Sequence, residues 1–370
     1  MADVSDELQS KDDARQKRQT DAKKSEQAKL IASLYKKIDQ QKDCTDSIVS
    51  AITGSLRSIH VPSRVTPRTT SKRVSPETGV VLMSDEQIGE KVLLEETQGK
   101  AEYSWDIFLA RLSRFTKFLT ETALRHHPIQ KTLYIFRLGD HIEGELIYPG
   151  QQTAIDTLLV DQIVRGAYME AVALSRISAY YNRLVLVCVT GNHGRVDKRA
   201  SVRSNLDYLF NVLMASFLQA HAKKNVQIFL NKGKTGIIQV EGFNFALNHG
   251  DKIRGWMGIP FYGMARTANR LMGMHGLPIE AFCVGHHHQA AQLPGVVANG
   301  SWPGGSTYAT DTMFTASPPK QVMFGVHKDH GVVWNRHINL EDKRPQLSPD
   351  KQGMLTAYED TSSLLKHPTS

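Results

Sequence analysis

The stretch Thr132-Leu133-Tyr134-Ile135-Phe136-Arg137-Leu138-Gly139-Asp140-His141-Ile142-Glu143 sets a short apolar run against a polar ending. Six or seven apolar or β-favouring residues closed by a glycine are too few for a helix and read as a buried strand, Thr132 to Leu138. The same order occurs on either side. Gly79 to Met83 runs into Ser84-Asp85-Glu86-Gln87, and Leu184 to Val189 runs into Gly191-Asn192-His193-Gly194. Between these runs, Trp105 to Leu124 and Ile155 to Tyr181 carry apolar residues at helical spacing. Strand, helix, strand, helix, strand predicts parallel pairing with crossover helices.

Working toward the C-terminus, a helix is expected from beyond Ser201 to about Ala222. Strands follow at Val226 to Leu230, Gly236 to Val240, Phe243 to Leu247 and Ala281 to Val284, with a hairpin across Val322 to Trp334. More strands and fewer helices late in the chain predict an α/β fold, a sandwich of two β-sheets flanked by helices. Toward the N-terminus, residues 1–28 are nearly devoid of large apolar side chains and read as a mobile charged arm. Leu30, Ile31, Leu34, Tyr35 and Ile38 give an amphipathic helix within 29–60 that can pack on the body or mediate self-association. Residues 61–78 read as a linker, 79–344 as the main domain and 345–370 as a polar tail.

The chain has 370 residues, 41% hydrophobic and 22% charged, which excludes collagen, global disorder and a coiled-coil rod. No apolar run reaches the ~18 residues of a membrane helix, and Met1-Ala2-Asp3-Val4-Ser5-Asp6 is unlike a secretory signal, so a cytoplasmic protein is expected. Cys44, Cys188 and Cys283 are odd in number and far apart, against a disulfide framework. The net charge of +8 is concentrated at the start, with 15 Lys and Arg against 10 Asp and Glu in residues 1–75. That surplus suits a polyanionic partner without requiring one.

Chemistry-bearing residues collect at strand ends. To the three endings above are added Asn248-His249-Gly250-Asp251 and Gly285-His286-His287-His288. A single buried His or Asp is more often a packing or capping group than a ligand. Five endings in order are another matter, because the carboxyl ends of strands in open α/β sheets line one crevice. A shared metal site is the expectation.

The ordered series D-x-Q, GD-x-x-E, GNH, H-G and G-H-x-H resembles the calcineurin-like metallophosphoesterase superfamily, over about Val80 to Leu340. The resemblance implies a four-layer sandwich carrying two divalent ions bridged by Asp140. Asp85, Gln87 and His288 would complete the first site, and Asn192, His249 and His286 the second. His193 would serve as proton donor to the leaving group or as a transition-state stabiliser. Two cations ~3.5–4 Å apart on a shared carboxylate turn a bridging water into hydroxide near neutral pH and neutralise the phosphoryl oxygens. Oxygen and imidazole donors without cysteine suit Mn, Fe, Zn or Mg.

Three residues depart from the pattern. Gln87 stands where histidine is usual, and its harder, neutral amide oxygen makes Mn²⁺ the first choice. Gly194 stands where an acid often orients the histidine, leaving Asp251 or Asp197 as substitutes. Glu143 replaces a shorter aspartate. His287 is expected to point away, and His141 has no assigned role. The segment Asp251 to Gly263 is rich in Gly and aromatic residues and reads as a loop over the site. There Arg254, with Arg195, Arg199 and Arg266 nearby, can hold a second phosphate, and Trp256, Phe261 or Tyr262 can stack a base. This loop, Gln87, and Ser317-Pro318-Pro319-Lys320-Gln321 with Phe324-Gly325-Val326-His327 resemble phage-encoded, nuclease-like members, implying the host cytoplasm.

The expectation is a metal-dependent phosphodiesterase acting on DNA or another nucleic acid. A phosphomonoesterase on nucleotides or phosphoproteins, and a weakened metal-binding scaffold, are the alternatives. Two other signals fail: Gly233-Lys234-Thr235 lacks the earlier glycine of a P-loop, and Asn299-Gly300-Ser301 has a glycosylation pattern with nothing to support secretion.

Overall fold

The computed structural model describes Lys29 and residues 77–341, apart from 98, 128–130, 146, 198–203, 222–223, 255–259 and 307–316. The arm, nearly all of the N-terminal helix, most of the linker, the polar tail, Arg199 and Trp256 lie outside the described residues. The chain divides into two compact units, Met1–Ser63 and Arg64–Ser370, and the described residues other than Lys29 belong to the second.

Strands β1 (Glu77–Met83), β2 (Thr132–Arg137), β3 (Arg183–Cys188) and β4 (Val226–Leu230) pair in parallel. β10 (Lys320–His327) lies antiparallel to β1, and β11 (Gly331–Asn339) to β10, giving a six-stranded sheet in the order β11-β10-β1-β2-β3-β4. β5 (Thr235–Val240), β6 (Phe243–Asn248), β7 (Ala281–Val284), β8 (Ala291–Leu293) and β9 (Val296–Ala298) form a second sheet ordered β5-β6-β7-β9-β8. The short pair β8 and β9 was not foreseen from sequence. Three residues each fall below the length at which a period of two can be recognised.

Alternation decides which side chains face where. Val80, Leu82, Phe136, Leu138, Val185, Val187 and Val189 meet Phe245, Leu247, Cys283 and Val297 between the sheets. The intervening residues Val81, Ile135, Leu184 and Leu186 are also buried, on the opposite face. Strands covered on both faces need continuous apolar runs, which is why the sequence signal was strong here. Helix α1 (Trp105–Lys117), continued by a π-turn at Phe118–Thr122 and a last turn at Ala123–His126, buries Phe108, Leu112 and Phe115. Ser104 caps it by accepting from the Ile107 amide. Helices α2 (Leu159–Ser178) and α3 (Leu206–His221) complete the βαβ crossovers.

Two boundaries move. α2 starts four residues later than expected because Ile155 bridges to Glu90 and the Glu145 carboxylate accepts the Leu159 amide. Strand β1 begins inside the expected linker, at Glu77. The expected loop Asp251 to Gly263 also yields in part, since helix α4 (Phe261–His275) starts within it. Met264, Ala268 and Leu271 of α4 pack on Ala246, Phe282, Val284 and Ala298 of the second sheet, with Phe261 partly buried alongside. Apolar residues at 264, 268 and 271 are one face of a helix, and the three glycines upstream masked that period. No helix among the described residues is long and apolar enough to cross a membrane.

Candidate metal centre

The ligand candidates sit in the turns that leave β1, β2, β3, β6 and β7, and backbone hydrogen bonds tie these turns together. The Asp85 amide donates to the Gly139 carbonyl and the Gln87 amide to the Asp140 carbonyl, each at 3.0 Å. The Gly285 amide donates to the His249 carbonyl at 3.0 Å, and the His286 amide to Asp85 Oδ1 at 2.9 Å. The approach is close enough to require glycine. A Cβ on Gly191 would lie 2.0 Å from Asp140 Oδ1, and one on Gly139 2.2 Å from the Gly191 nitrogen.

Backbone strain gathers here. Among the described residues six non-glycine positions have positive φ, and five are Asp85, Gln87, Asp140, His286 and His288. The sixth, Glu241, sits in the tight β5–β6 turn. Each such conformation costs ~1–3 kcal/mol and persists only where surrounding contacts dictate it.

Asp140 is wholly buried. Its Oδ1 accepts from the Asn192 and His193 amides at 2.6 and 2.8 Å, while Oδ2 has no hydrogen-bond donor and faces His249 Nε2 across 2.8 Å. His249 Nδ1 bonds the Leu138 carbonyl at 2.9 Å, which requires the ring proton to be there. Nε2 of the neutral ring therefore presents its lone pair to Asp140 Oδ2 and, at 3.0 Å, to Asn192 Oδ1. The Asn192 amide nitrogen donates instead to the Tyr148 hydroxyl at 2.7 Å. Three acceptors meeting within 3.0 Å repel unless something positive sits among them. Either a second ring proton or a metal ion meets that need. His286 joins Asp140 and His249 in a cluster of metal-capable groups, its ring 5.0 Å from that of His249.

The electrostatics agree. Burial alone would raise the Asp140 carboxyl, but the His249 and His193 imidazoles carry it well below the carboxylate range. Asp85, also raised by burial, is brought below its usual value by the hydrogen bond and charge of His288, whose Nε2 lies 3.4 Å from Asp85 Oδ1. Burial lowers His249, yet Asp140 lifts it to about 9. Partial burial, and then the charge of His249, push the half-buried His286 down to about 3. Gln87 directs its Nε2 toward His193 Nε2, 3.4 Å away, and its buried Oε1 has no partner.

His193 stands at the rim, with Nδ1 2.9 Å from the Glu143 carboxylate and Nε2 3.9 Å from Asp140 Oδ2. Burial disfavours its charged form, but Glu143 and then Asp140 raise it well above the usual value. Glu143 thus takes the orienting part expected of Asp251 or Asp197. No side chain fits at 194, where a Cβ would come within 2.5 Å of Asn205 Oδ1 and 2.7 Å of the Asp207 amide. Asp251 instead pairs with Arg195.

Asp207, unmarked by any motif, accepts from the Asp140 and Gly191 amides through Oδ2, both at 2.8 Å, and from the His141 amide through Oδ1 at 3.1 Å. It pins two ligand turns together from the first turn of α3, where a carboxylate also suits the helix dipole. An acid at a helix start is so ordinary that sequence could not single it out. Trp302, fully buried against Phe108 and Phe115, donates its amide to the Asp85 carbonyl at 3.0 Å. Asn299, likewise buried, donates to Ser84 Oγ at 2.9 Å and Gln321 Oε1 at 2.8 Å, so its glycosylation pattern is spurious.

His141 reaches neither solvent nor substrate. It is fully buried, stacked on Phe210 at 5.4 Å, with Nδ1 3.0 Å from Glu86. His287 is partly buried with its ring 5.1 Å from His286. Arg254 and Arg266 are exposed. Tyr262 is 71% exposed, whereas Phe261 is half-buried against the second sheet.

No family model matches the sequence, and no curated protein is similar to it. Among solved structures it is similar to Vacuolar Protein Sorting 29 from Cryptosporidium parvum, at 13% identity over 71% of this chain and 98% of that one, with a TM-score of 0.34. Wild-type Vps29 complexed with zinc, from Entamoeba histolytica, is 13% identical over 71% and 99%, with a TM-score of 0.28. A predicted phosphoesterase from Streptococcus pneumoniae is 10% identical over 70% and 97%, also with a TM-score of 0.28. What the site can do follows from its own side chains.

Proposed function

We propose that the protein is a dinuclear metal-dependent phosphoesterase, of the calcineurin-like kind, that hydrolyses a phosphodiester in DNA or another nucleic acid. The observation that carries this reading is the meeting of Asp140 Oδ2 and Asn192 Oδ1 on His249 Nε2, a group that a proton or a metal ion must bridge, beside the positive-φ residues Asp85, Gln87, Asp140, His286 and His288. The donor set fits divalent ions. Asp85, Gln87, Asp140 and His288 would hold one, and Asp140, Asn192, His249 and His286 the other, with Asp140 shared. Hard oxygen donors together with imidazole, and no thiolate, favour Mn²⁺.

Two ions held there would supply Lewis acidity toward a phosphoryl group and a bound water. The chain's own residues do the rest. Asp140 is kept ionised by the imidazoles around it, and its Oδ1 is fixed by two amides so that Oδ2 alone faces the centre. Glu143 holds His193 by Nδ1 and stabilises its charged form, leaving Nε2 to give a proton to the departing oxygen. Asp207 and Trp302 hold the turns in register from behind.

The test is turnover of bis-p-nitrophenyl phosphate, p-nitrophenyl phosphate and labelled single- and double-stranded DNA with Mn²⁺, alongside metal content by elemental analysis. Two metals per chain and diester turnover are expected. Monoester turnover alone defeats the diester reading, and no turnover with any divalent ion leaves the chain a metal-binding scaffold.

A further inference from the structure

We propose that Arg195, Lys234 and Lys252, gathered round Asp251 at the edge of the ligand cluster, form a subsite for a second phosphate of the substrate. The inference rests on the phosphoesterase reading and names what that enzyme selects: an ester with another phosphate one step along the chain.

The Arg195 guanidinium pairs with Asp251 Oδ2, and Lys234 Nζ and Lys252 Nζ lie 3.6 and 3.7 Å from the same oxygen. Three cations share one carboxylate, a formal surplus of two positive charges. They come from three segments: the loop after β3, the turn between β4 and β5, and the loop after β6. Two of those loops also deliver site residues. Arg195 follows His193 by two residues and Asp251 follows His249 by two, so each backbone step spans at most ~7 Å.

The arrangement is built rather than incidental. The Asn248 side chain donates to the Lys234 carbonyl at 3.1 Å and Thr235 Oγ1 at 2.9 Å, and accepts from the Gly250 amide at 2.9 Å. That locks the lysine-bearing turn to the His249 loop. Asp251, 9% exposed at its side chain, orients Arg195, while the lysine side chains remain 43% and 72% exposed. Like charges this close repel, and the one carboxylate offsets only part of the cost, so the cluster favours an anion. A planar fork beside two ammonium groups suits the oxygens of a phosphate.

The test compares binding of thymidine 3′,5′-bisphosphate with thymidine 3′-phosphate to the Mn²⁺-loaded protein by titration calorimetry. Wild type is expected to prefer the bisphosphate at least tenfold. In the exposed-site variant K234Q/K252Q the ratio falls below about threefold, at an unchanged melting temperature, and raising salt in wild type shrinks it likewise. Equal binding by wild type, or an unchanged ratio in the variant, overturns the subsite. A short oligothymidylate competing as well as the bisphosphate assigns the second phosphate to a nucleic-acid strand. Failure to compete assigns it to a free nucleotide. Bis-p-nitrophenyl phosphate serves as the separate control. If it is not hydrolysed while the tenfold preference persists, the diester reading fails and the subsite stands. If it is hydrolysed without any preference, the subsite alone fails.

Discussion

Two clusters of carboxylates and imidazoles lie side by side in this chain, on neighbouring residues, and their electrostatics differ. Around Asp140, the neighbours hold the Asp140 and Asp85 carboxyls below their usual range and lift His249 to about 9, so a proton or a metal ion beside Asp140 Oδ2 is favoured. Behind it, Glu86, His141 and Glu170 also bring two carboxylates and an imidazole within metal-binding distance of one another. Burial pushes Glu86 to about 8 and Glu170 to about 7, and His141 down to about 4. This second box has its own cation, Arg137, with Nη1 2.6 Å from Glu170 Oε2 and Nε donating to Asn211 Oδ1 at 2.8 Å. Residue types do not make a metal site. What decides is whether the surrounding chain has already supplied the positive charge.

The sharpest way to break this contrast is Asp140→Asn. Metal content is expected to fall from two per chain to below one and diester turnover by more than about a thousandfold, since the shared charge is lost. Wild-type metal content in the variant would refute the shared-ligand assignment. His193→Gln is expected to cut turnover by ~10²–10⁴-fold while two metals remain, which elemental analysis and kinetics together would show. In the second box, Arg137→Met strands Glu170 and should destabilise the fold by ~3–5 kcal/mol in denaturant titration, with metal content still two. A third metal already in wild type would break the contrast.

Smaller effects sharpen the picture. Gln87→His is expected to tighten Mn²⁺ binding about tenfold, because imidazole is the stronger donor, and an unchanged titration would count against the Gln87 assignment. The last concerns pH. A histidine raised to about 9 stabilises the metal-free fold fully below its unfolded value near 6.5, and that stability is lost as pH rises toward 9. Metal replaces the same proton, so the rise in melting temperature produced by Mn²⁺ should grow from pH 6.5 to 8.5. A rise that is flat across that window would mean His249 is not where metal and proton compete.

Much of the centre was legible because each ligand follows its strand within a few residues. An apolar run closed by Gly-Asp or Gly-Asn-His carries its own location, and that local order placed Asp85, Asp140, Asn192, His249 and His286 at one end of the sheets. The orienting acid of His193, expected downstream at Asp251 or Asp197, sits upstream at Glu143, because a helical return brings the β2 turn beside the β3 turn. Only the first turn of helix α4 falls within the expected loop, where Gly255, Gly258 and Gly263 dominate the local composition, and its apolar face shows only against the second sheet.

By itself the sequence determined the longer strands, the helices between the first four and the chemical types at the strand ends, because hydrophobic period and turn residues act over a few neighbours. Only the tertiary structure decided that Asp207 clamps two turns, that Arg137 fills one polar box and that Asp140 Oδ2 is left facing His249 without a donor. Those outcomes depend on which atoms from distant segments satisfy one another's charge and hydrogen bonds, and that is settled only when the sheets close.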